Sequence, residues 1–261
     1  MRLTSVVPAV ALLVALTAHA ADVRAVLAPA RQRIETADYR ATGQFVTVDA
    51  NGHRTSYAIT IKARWISGSL HTLVEIVPPR EAANAHQPVR ILLEMRPSGE
   101  DTIRIVHPHD SAMTSLPFDK WGEGLFGGVF SYEDLLEPEY FWPGQTILKS
   151  AKFGARECDV LKSTPGPSDH THYTEVQTWL DHTIVYPVYA EKTLRDGGTV
   201  KEFTYFGLRQ YGGVWSATQV EGKIRGRAGS TLLIVKRGSE KANLSAKDFS
   251  PGQISHFEGH L

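Results

Sequence analysis

Apolar and polar residues alternate with a period of two along much of the chain, which predicts β-strands with one buried face. The clearest alternation covers residues 56–65. Its apolar face consists of Tyr57, Ile59, Ile61, Ala63 and Trp65. Residues 42–49 predict a partner strand, and the intervening Asp49-Ala50-Asn51-Gly52 segment has the turn chemistry of a hairpin.

The same pattern recurs through the rest of the chain. It predicts further strands near residues 70–77, 89–95, 101–106, 155–163, 171–180, 184–194, 199–208, 214–225 and 230–237. Glycine-rich segments at 196–198 and 226–229 predict the clearest later turns. Roughly ten strands with short connections favour a mainly β fold: an antiparallel sheet curled upon itself into an incomplete β-barrel, rather than a parallel α/β fold.

Helical spacing is rare, so we expect only a few short helices over the curled sheet. Residues 22–39 carry apolar positions at helical intervals, and Pro29 marks either a kink or the first turn of a shorter helix. A second short helix should begin after Ser131 and end before Pro138, because a residue that precedes proline avoids helical geometry. We expect the Ser131 hydroxyl to cap that helix by accepting from the amide near Asp134.

A curled sheet has a concave face that must be filled by side chains, by a plug or by a ligand. The loops at residues 78–88 and 107–124 are longer than usual hairpin loops, and such loops are often functional. The expected cavity residues come from the clearest strand and from the aromatic-rich loop: Tyr57, Ile59, Ile61, Trp65, Trp121, Phe126, Phe130 and Tyr132. The alternative is that each is an ordinary core residue, since alternating apolar residues form every β core.

The first twenty residues have the pattern of a cleaved signal peptide. Arg2 precedes an apolar stretch at residues 6–16, and Ala18-His19-Ala20 is a small-x-small cleavage site. An uncleaved anchor is the alternative, but the apolar stretch is too short for a membrane-spanning helix. We therefore predict an exported protein in which residues 21–261 form a single domain.

Composition excludes some function classes. The chain has 28 Lys+Arg and 28 Asp+Glu, so it lacks the basic excess of a nucleic-acid-binding protein. Its one cysteine cannot form an intramolecular disulfide, so the fold depends on a buried core. Cys158 alternates with Val160 in a strand-like segment, which predicts a buried and unreactive thiol.

The sequence contains no recognisable catalytic or cofactor motif: His-Glu-x-x-His, Gly-x-Ser-x-Gly, the Walker loop and paired cysteines are all missing. We therefore predict no catalytic residues, no cofactor and no enzyme activity. Two histidine groups, His107-Pro108-His109 and His170-Thr171-His172, carry metal-ligating side chains, with Asp169 and His182 near the second. No third ligand is fixed by spacing, so we predict no metal site.

Although catalytic motifs are missing, one segment of the sequence resembles a known protein family. Residues 125–135 read Leu-Phe-Gly-Gly-Val-Phe-Ser-Tyr-Glu-Asp-Leu. They resemble the loop of the LolA-like outer-membrane lipoprotein-sorting family of Gram-negative bacteria, in which Phe-x-Gly-Ser-Asp-Phe-Ser-Tyr-Glu-Asp-Leu recurs. Residues 130–135 match without a gap, whereas Gly128 and Val129 replace the Ser-Asp pair. Residues 173–181 are similar to a strand of the same family.

The resemblance implies a monomeric periplasmic carrier that shields the acyl chains of lipoproteins, or another lipid, for transfer toward the outer membrane. It also implies an inner-membrane exporter and an outer-membrane acceptor as partners. Two alternatives stay open: an exported enzyme without a recognisable motif, and an adaptor of a membrane lipid exporter that carries no cargo. An enzyme should have a pocket with convergent polar groups and perturbed ionisation, whereas a carrier should have a long apolar groove.

Overall fold

The computed structural model describes residues 22–211 and 213–255. The signal peptide predicted at residues 1–20 lies outside this range. Within these residues, none of the helices has the length and apolar character needed to cross a membrane.

Strands dominate the described part of the chain. They are β1 Asp38–Val48, β2 Arg54–Ile66, β3 Ser69–Val77, β4 Val89–Met95, β5 Thr102–Val106, β6 Thr114–Ser115, β7 Gly144–Phe153, β8 Arg156–Thr164, β9 Tyr173–Asp181, β10 Pro187–Leu194, β11 Val200–Phe206, β12 Arg209–Tyr211, β13 Val214–Ser216, β14 Gln219–Ile224 and β15 Ser230–Glu240. The helices are α1 Val23–Glu35, α2 Phe118–Trp121 and α3 Pro251–Ile254. Single 3-10 turns occur at Arg80–Ala82, Leu125–Gly127, Glu133–Leu135, Pro138–Tyr140 and Ala246–Phe249.

Thirteen of these strands form one antiparallel sheet in the order β6-β5-β4-β3-β2-β1-β15-β14-β11-β10-β9-β8-β7. Strands β12 and β13 form a separate hairpin. Pairing of β1 with β15 joins the two halves of the chain, while β6 and β7 are the edge strands, each paired on one side only. The predicted fold is therefore confirmed: a large antiparallel sheet that curls without closing into a barrel.

The sequence pattern located most strands, but it missed β6, β7 and β12 and merged β13 with β14. Residues 214–225 form two strands rather than one, because the Ala217 amide donates to the Tyr186 hydroxyl (3.1 Å) instead of continuing the ladder. Strand β7 was missed altogether. It is an edge strand with no fully buried residue, so its two faces differ little in polarity and no alternation marks it.

Helix α1 packs on the concave face of the sheet through Val26, Leu27, Ala30 and Ile34. It begins at an Asp22 cap and ends at Glu35, earlier than expected. Pro29 lies inside the helix rather than in its first turn. The helix expected after Ser131 is a single 3-10 turn, Glu133–Leu135.

The sheet is covered on both faces. The main core includes α1, the inward residues of β2 to β4 and the motif segment at residues 125–135. A second core lies on the other face, where Leu73 and Leu92 pack with Leu244, Phe249 and Ile254 from the C-terminal segment. The curled sheet therefore has a concave side closed by α1 and the motif segment, which positions the candidate site.

Candidate functional site

The structure gathers all eight predicted cavity residues into the main core. Tyr57, Ile59, Trp121 and Phe130 are buried. Ile61, Trp65, Phe126 and Tyr132 are half-buried and pack against the same cluster. The concave face is thus filled by side chains in this structure, and binding of a ligand by these residues stays a prediction.

Phe126 is one of the half-buried aromatic residues of this cluster. Its ring stacks on Tyr57 at a centroid distance of 4.5 Å and an interplanar angle of 22°. His86, from the loop at residues 78–88, meets Phe126 edge-on at 5.2 Å and also lies 5.9 Å from Tyr57. Phe126 has a left-handed backbone (φ 51°, ψ 36°), which is costly for a residue with a Cβ, and Gly127 follows at φ 71°. A strained turn therefore holds this ring over the core.

The rest of the motif segment is anchored to the sheet. The Leu125 amide donates to the Phe130 carbonyl (2.8 Å), and the Val129 amide donates to Thr231 Oγ1 on β15 (2.8 Å). Phe130 packs edge-on against Phe203 at 5.0 Å. The segment is thus fixed at Val129 and Phe130, while Phe126 is half-buried against the main core.

Next to this segment lies a buried charge cluster that the sequence motifs did not reveal. The Asp134 side chain is fully buried, and its Oδ2 accepts from the Ser131 amide (2.9 Å), the Ser131 hydroxyl (2.8 Å) and Lys201 Nζ (2.7 Å). Its Oδ1 accepts from the Tyr173 hydroxyl (2.6 Å). The predicted cap is therefore wrong: Ser131 donates to Asp134 rather than accepting from the helix, because the carboxylate is the stronger acceptor.

Two buried lysines face this carboxylate from neighbouring strands. Lys192 and Lys201 are directly opposite each other in the β10–β11 ladder, an arrangement of like charges that would be destabilising alone. Lys192 Nζ lies 3.6 Å from Asp134 Oδ1 and 3.5 Å from Glu139 Oε1. The two carboxylates therefore compensate the two ammonium groups.

The pKa shifts follow from this geometry. Burial would raise the pKa of Asp134, but attraction to Lys201 and Lys192 outweighs it and the pKa is lowered. Burial opposes the charge of Lys192, yet Glu139 and Asp134 raise its pKa. Burial raises the pKa of Glu139, and Lys192 only partly offsets this effect.

Glu133 occupies the other side of the cluster with a side chain only 5% exposed. Its Oε2 accepts from the His172 amide (3.1 Å) and the Thr171 hydroxyl (3.4 Å). Its Oε1 lies 3.3 Å from His172 Nδ1 but receives no hydrogen bond from the described residues. Burial, followed by repulsion from Asp134, raises the pKa of Glu133.

These groups border a narrow cleft, whose empty volume of about 270 Å³ includes the solvent at its mouth and whose interior has room for about one water molecule. Its lining includes the carboxylates Asp101, Glu133 and Glu139, the ammonium group of Lys192 and the aromatic rings of Trp121, Trp142 and Tyr173. A neighbouring cleft of about 380 Å³ shares Asp101, Pro138, Trp142 and His170 with it. Burial raises the pKa of Asp101 to about 6. The described clefts are thus small and lined by a mixture of charged groups and aromatic rings, unlike the long apolar groove expected of a carrier.

Ser131 and Lys201 have a spacing that could suggest a nucleophile with a lysine base, since Nζ lies 3.0 Å from Oγ. Three observations argue against that role. Ser131 is fully buried, its hydroxyl donates to Asp134, and Lys201 donates to both residues. The pair therefore holds the motif segment against β11 and offers no accessible nucleophile.

The two histidine groups are separated into individual pairs. His170 Nδ1 contacts Glu100 (3.0 Å), His182 contacts Asp159 (3.1 Å), and His107 Nδ1 contacts the Pro88 carbonyl (3.0 Å). In residues 22–211 and 213–255, no group of three or more His, Cys, Asp or Glu side chains is placed to hold a metal ion. Cys158 is buried as predicted, and burial raises its pKa.

A sequence signal for the charge cluster did exist. Lys192 shares a face of β10 with Val188 and Ala190, and Lys201 shares a face of β11 with Phe203. A lysine on the apolar face of a strand predicts a buried partner, because an unpaired buried ammonium group is costly. The sequence gives no indication of which carboxylate provides the partner.

Comparison with known proteins supports the fold. A family model described as "Uncharacterized protein" matches residues 83–256. A putative outer membrane lipoprotein-sorting protein domain from Vibrio parahaemolyticus is 21% identical, with a TM-score of 0.78 over 90% of this chain and 100% of that one. A DUF1329 family protein from Desulfovibrio piger is 14% identical, with a TM-score of 0.75 over 89% of this chain and 98% of that one.

A LolA superfamily protein from Nitrosomonas europaea is 16% identical, with a TM-score of 0.67 over 90% of this chain and 100% of that one. No curated protein matches the sequence. At these identities the solved structures show a shared fold, the LolA-like curled sheet, and the resemblance carried by the motif segment is confirmed at that level.

Proposed function

The chain belongs to the family matched over residues 83–256 and has the LolA-like fold, and from this premise we propose that it is a periplasmic carrier of acyl chains. The cargo is the lipid part of a lipoprotein or another lipid, transferred from an inner-membrane exporter toward an outer-membrane acceptor. The observation that carries the proposal is the position of Phe126, a strained ring that covers an otherwise continuous aromatic and aliphatic core.

The energetics are compatible with reversible opening. A left-handed backbone at a non-glycine residue costs about 1–3 kcal/mol, and this strain is released if the turn rearranges so that Phe126 adopts an ordinary backbone conformation as its ring leaves Tyr57. Each methylene of an acyl chain that leaves water contributes about 0.8 kcal/mol. About four buried methylenes therefore offset roughly 3 kcal/mol of lost packing around the ring. Cargo binding needs no covalent step.

The decisive experiment measures binding of a fluorescent long-chain fatty acid to Phe126→Asp. A carboxylate at this position opposes both closure over the core and contact with an acyl chain. We expect affinity to fall at least about tenfold, with little change in the far-ultraviolet circular dichroism. The matched control is Phe118→Asp, because Phe118 is a nearby aromatic residue that is already exposed.

Equal affinities of the two variants would contradict a role of Phe126 in closure. A wild-type protein that binds no fatty acid, and that yields no lipid in mass spectrometry after purification from the periplasm, would contradict the carrier. The intact mass of the same periplasmic material tests the predicted cleavage after Ala20.

One observation favours a second candidate, an exported enzyme. The cleft beside Asp101, Glu133 and Lys192 combines convergent polar groups with shifted pKa values, which is the pattern expected of an active site. The fixed ion pairs of Asp134 instead support a structural role, as does the fully buried Ser131. Hydrolysis of simple ester or amide substrates that disappears in Lys192→Met, with folding retained, would support the enzyme over the carrier.

A further inference from the structure

We propose that the cleft lined by Asp101, Glu133 and Glu139 binds a primary ammonium group, either of a small soluble amine or of an amine-bearing lipid headgroup. The cleft lies beside the motif segment but is separate from the apolar face that Phe126 covers. The inference is therefore independent of acyl binding.

Charge balance is the first reason. Three carboxylates line the cleft, whereas Lys192 is its only lysine or arginine among the described residues. Lys201 supplies no surplus charge, since it is paired with Asp134. Glu139 is paired with Lys192 at 3.5 Å, whereas Glu133, whose side chain is only 5% exposed, has the His172 imidazole as its ion-pair partner, at 3.3 Å. A buried carboxylate without a permanently charged partner is costly. Burial raises the pKa of both carboxyl groups, and the neighbouring cations offset this effect only in part.

An unsatisfied acceptor is the second reason. Glu133 Oε1 is buried without a hydrogen bond from the described residues, although His172 Nδ1 lies 3.3 Å away, while Oε2 already accepts from the His172 amide. Buried polar atoms are normally paired, so an unpaired carboxylate oxygen on the wall of a cleft indicates a missing donor. A donor that is also positively charged would satisfy both the hydrogen bond and the charge deficit.

The shape and walls of the cleft select the kind of cation. A metal ion would need several ligands at one point, and the described residues offer no group of three such side chains. A guanidinium group prefers both oxygens of one carboxylate, but Glu133 Oε2 is already engaged. An ammonium group is compact, donates three hydrogen bonds and is attracted to the faces of rings such as those of Trp121, Trp142 and Tyr173.

The test compares ethanolamine hydrochloride with ethylene glycol, its neutral isostere, by calorimetric titration of the full mature chain near neutral pH. We expect ethanolamine to bind at least about tenfold more tightly. Glu133→Gln keeps the side-chain shape and should weaken ethanolamine binding by about the same factor. The control is Glu123→Gln, because Glu123 is an exposed residue near the same segment.

If Glu133→Gln fails to fold, Asp101→Asn decides the question in the same assay. Equal affinities for ethanolamine and ethylene glycol would overturn the proposal, because the ammonium group would then contribute nothing to binding. Unchanged ethanolamine affinity in the folded variant would also overturn it. Vesicles of phosphatidylethanolamine, compared with phosphatidylglycerol, then distinguish the sources: preference for the former indicates a headgroup, whereas binding of free ethanolamine alone indicates a soluble amine. The fatty-acid assay of Phe126→Asp tests acyl-chain binding and does not depend on the ethanolamine titration. A negative result in one assay therefore leaves the other proposal standing.

Discussion

Replacement of Lys201 by methionine tests the buried charge cluster most directly. Methionine keeps an unbranched side chain but removes the ammonium group that donates to Asp134 and Ser131. Asp134 then keeps only Lys192, at 3.6 Å, as a cationic neighbour. Breaking a buried ion pair costs about 3–5 kcal/mol. Because Lys192 remains, we expect the free energy of unfolding to fall by about 3 kcal/mol, the lower end of this range.

For a chain of this size, each kcal/mol shifts the melting temperature by about 2–4 °C. Lys201→Met should therefore melt roughly 6–12 °C below the wild type, as measured by circular dichroism and by urea denaturation near neutral pH. The control, Lys120→Met, removes an exposed ion pair with Glu123 and should leave the melting temperature unchanged.

The pH dependence has a definite sign. The pKa of Asp134 is lowered in the folded protein, so its stabilising contribution is present above the ordinary aspartate pKa of about 3.9 and is lost as the pH falls further. The difference between the variant and the wild type should therefore persist at neutral pH and shrink only in strong acid. A drop smaller than about 2 °C at neutral pH would refute the buried pairing of Lys201 with Asp134.

Three further outcomes follow from the same structure. Asp101→Asn should stabilise the protein by about 1–3 kcal/mol near neutral pH and by little below about pH 4. The pKa of Asp101 is raised to about 6 in the folded protein, so ionisation opposes folding increasingly from the ordinary aspartate pKa of about 3.9 up to about 6 and by a constant amount above it. Urea denaturation at the two pH values measures the difference. Gly128→Ala should destabilise by about 1–3 kcal/mol, since its Cβ would lie 2.7 Å from Thr231 Oγ1, and an unchanged melting temperature would contradict the close packing. Gly127→Ala has open space but a positive φ, so its cost should be only about 1–2 kcal/mol in the same melting assay.

Local chemistry in the sequence determined much of the sheet. The alternation in β2 predicted which residues face the core, and Tyr57, Ile59 and Ala63 are indeed buried. The turn after β1 was also readable, because Asp49 Oδ1 accepts from the amides of Asn51 and His53, within four residues. Period-two patterns and turns depend on near neighbours, so the sequence alone contains the information that fixes them.

Only the tertiary structure determined the buried charge cluster around Asp134 and Glu133. Lys201 meets Asp134 across 67 residues of sequence, and Thr171 meets Glu133 across 38. Strand β7 likewise had no local pattern, because its residues are exposed at an edge. Hydrophobic periodicity predicts which face of a strand is buried, but it does not predict which charged residue, distant in sequence, packs against that face. The pairing of Asp134 with two opposed lysines arises only when the register of β10 and β11 brings them together.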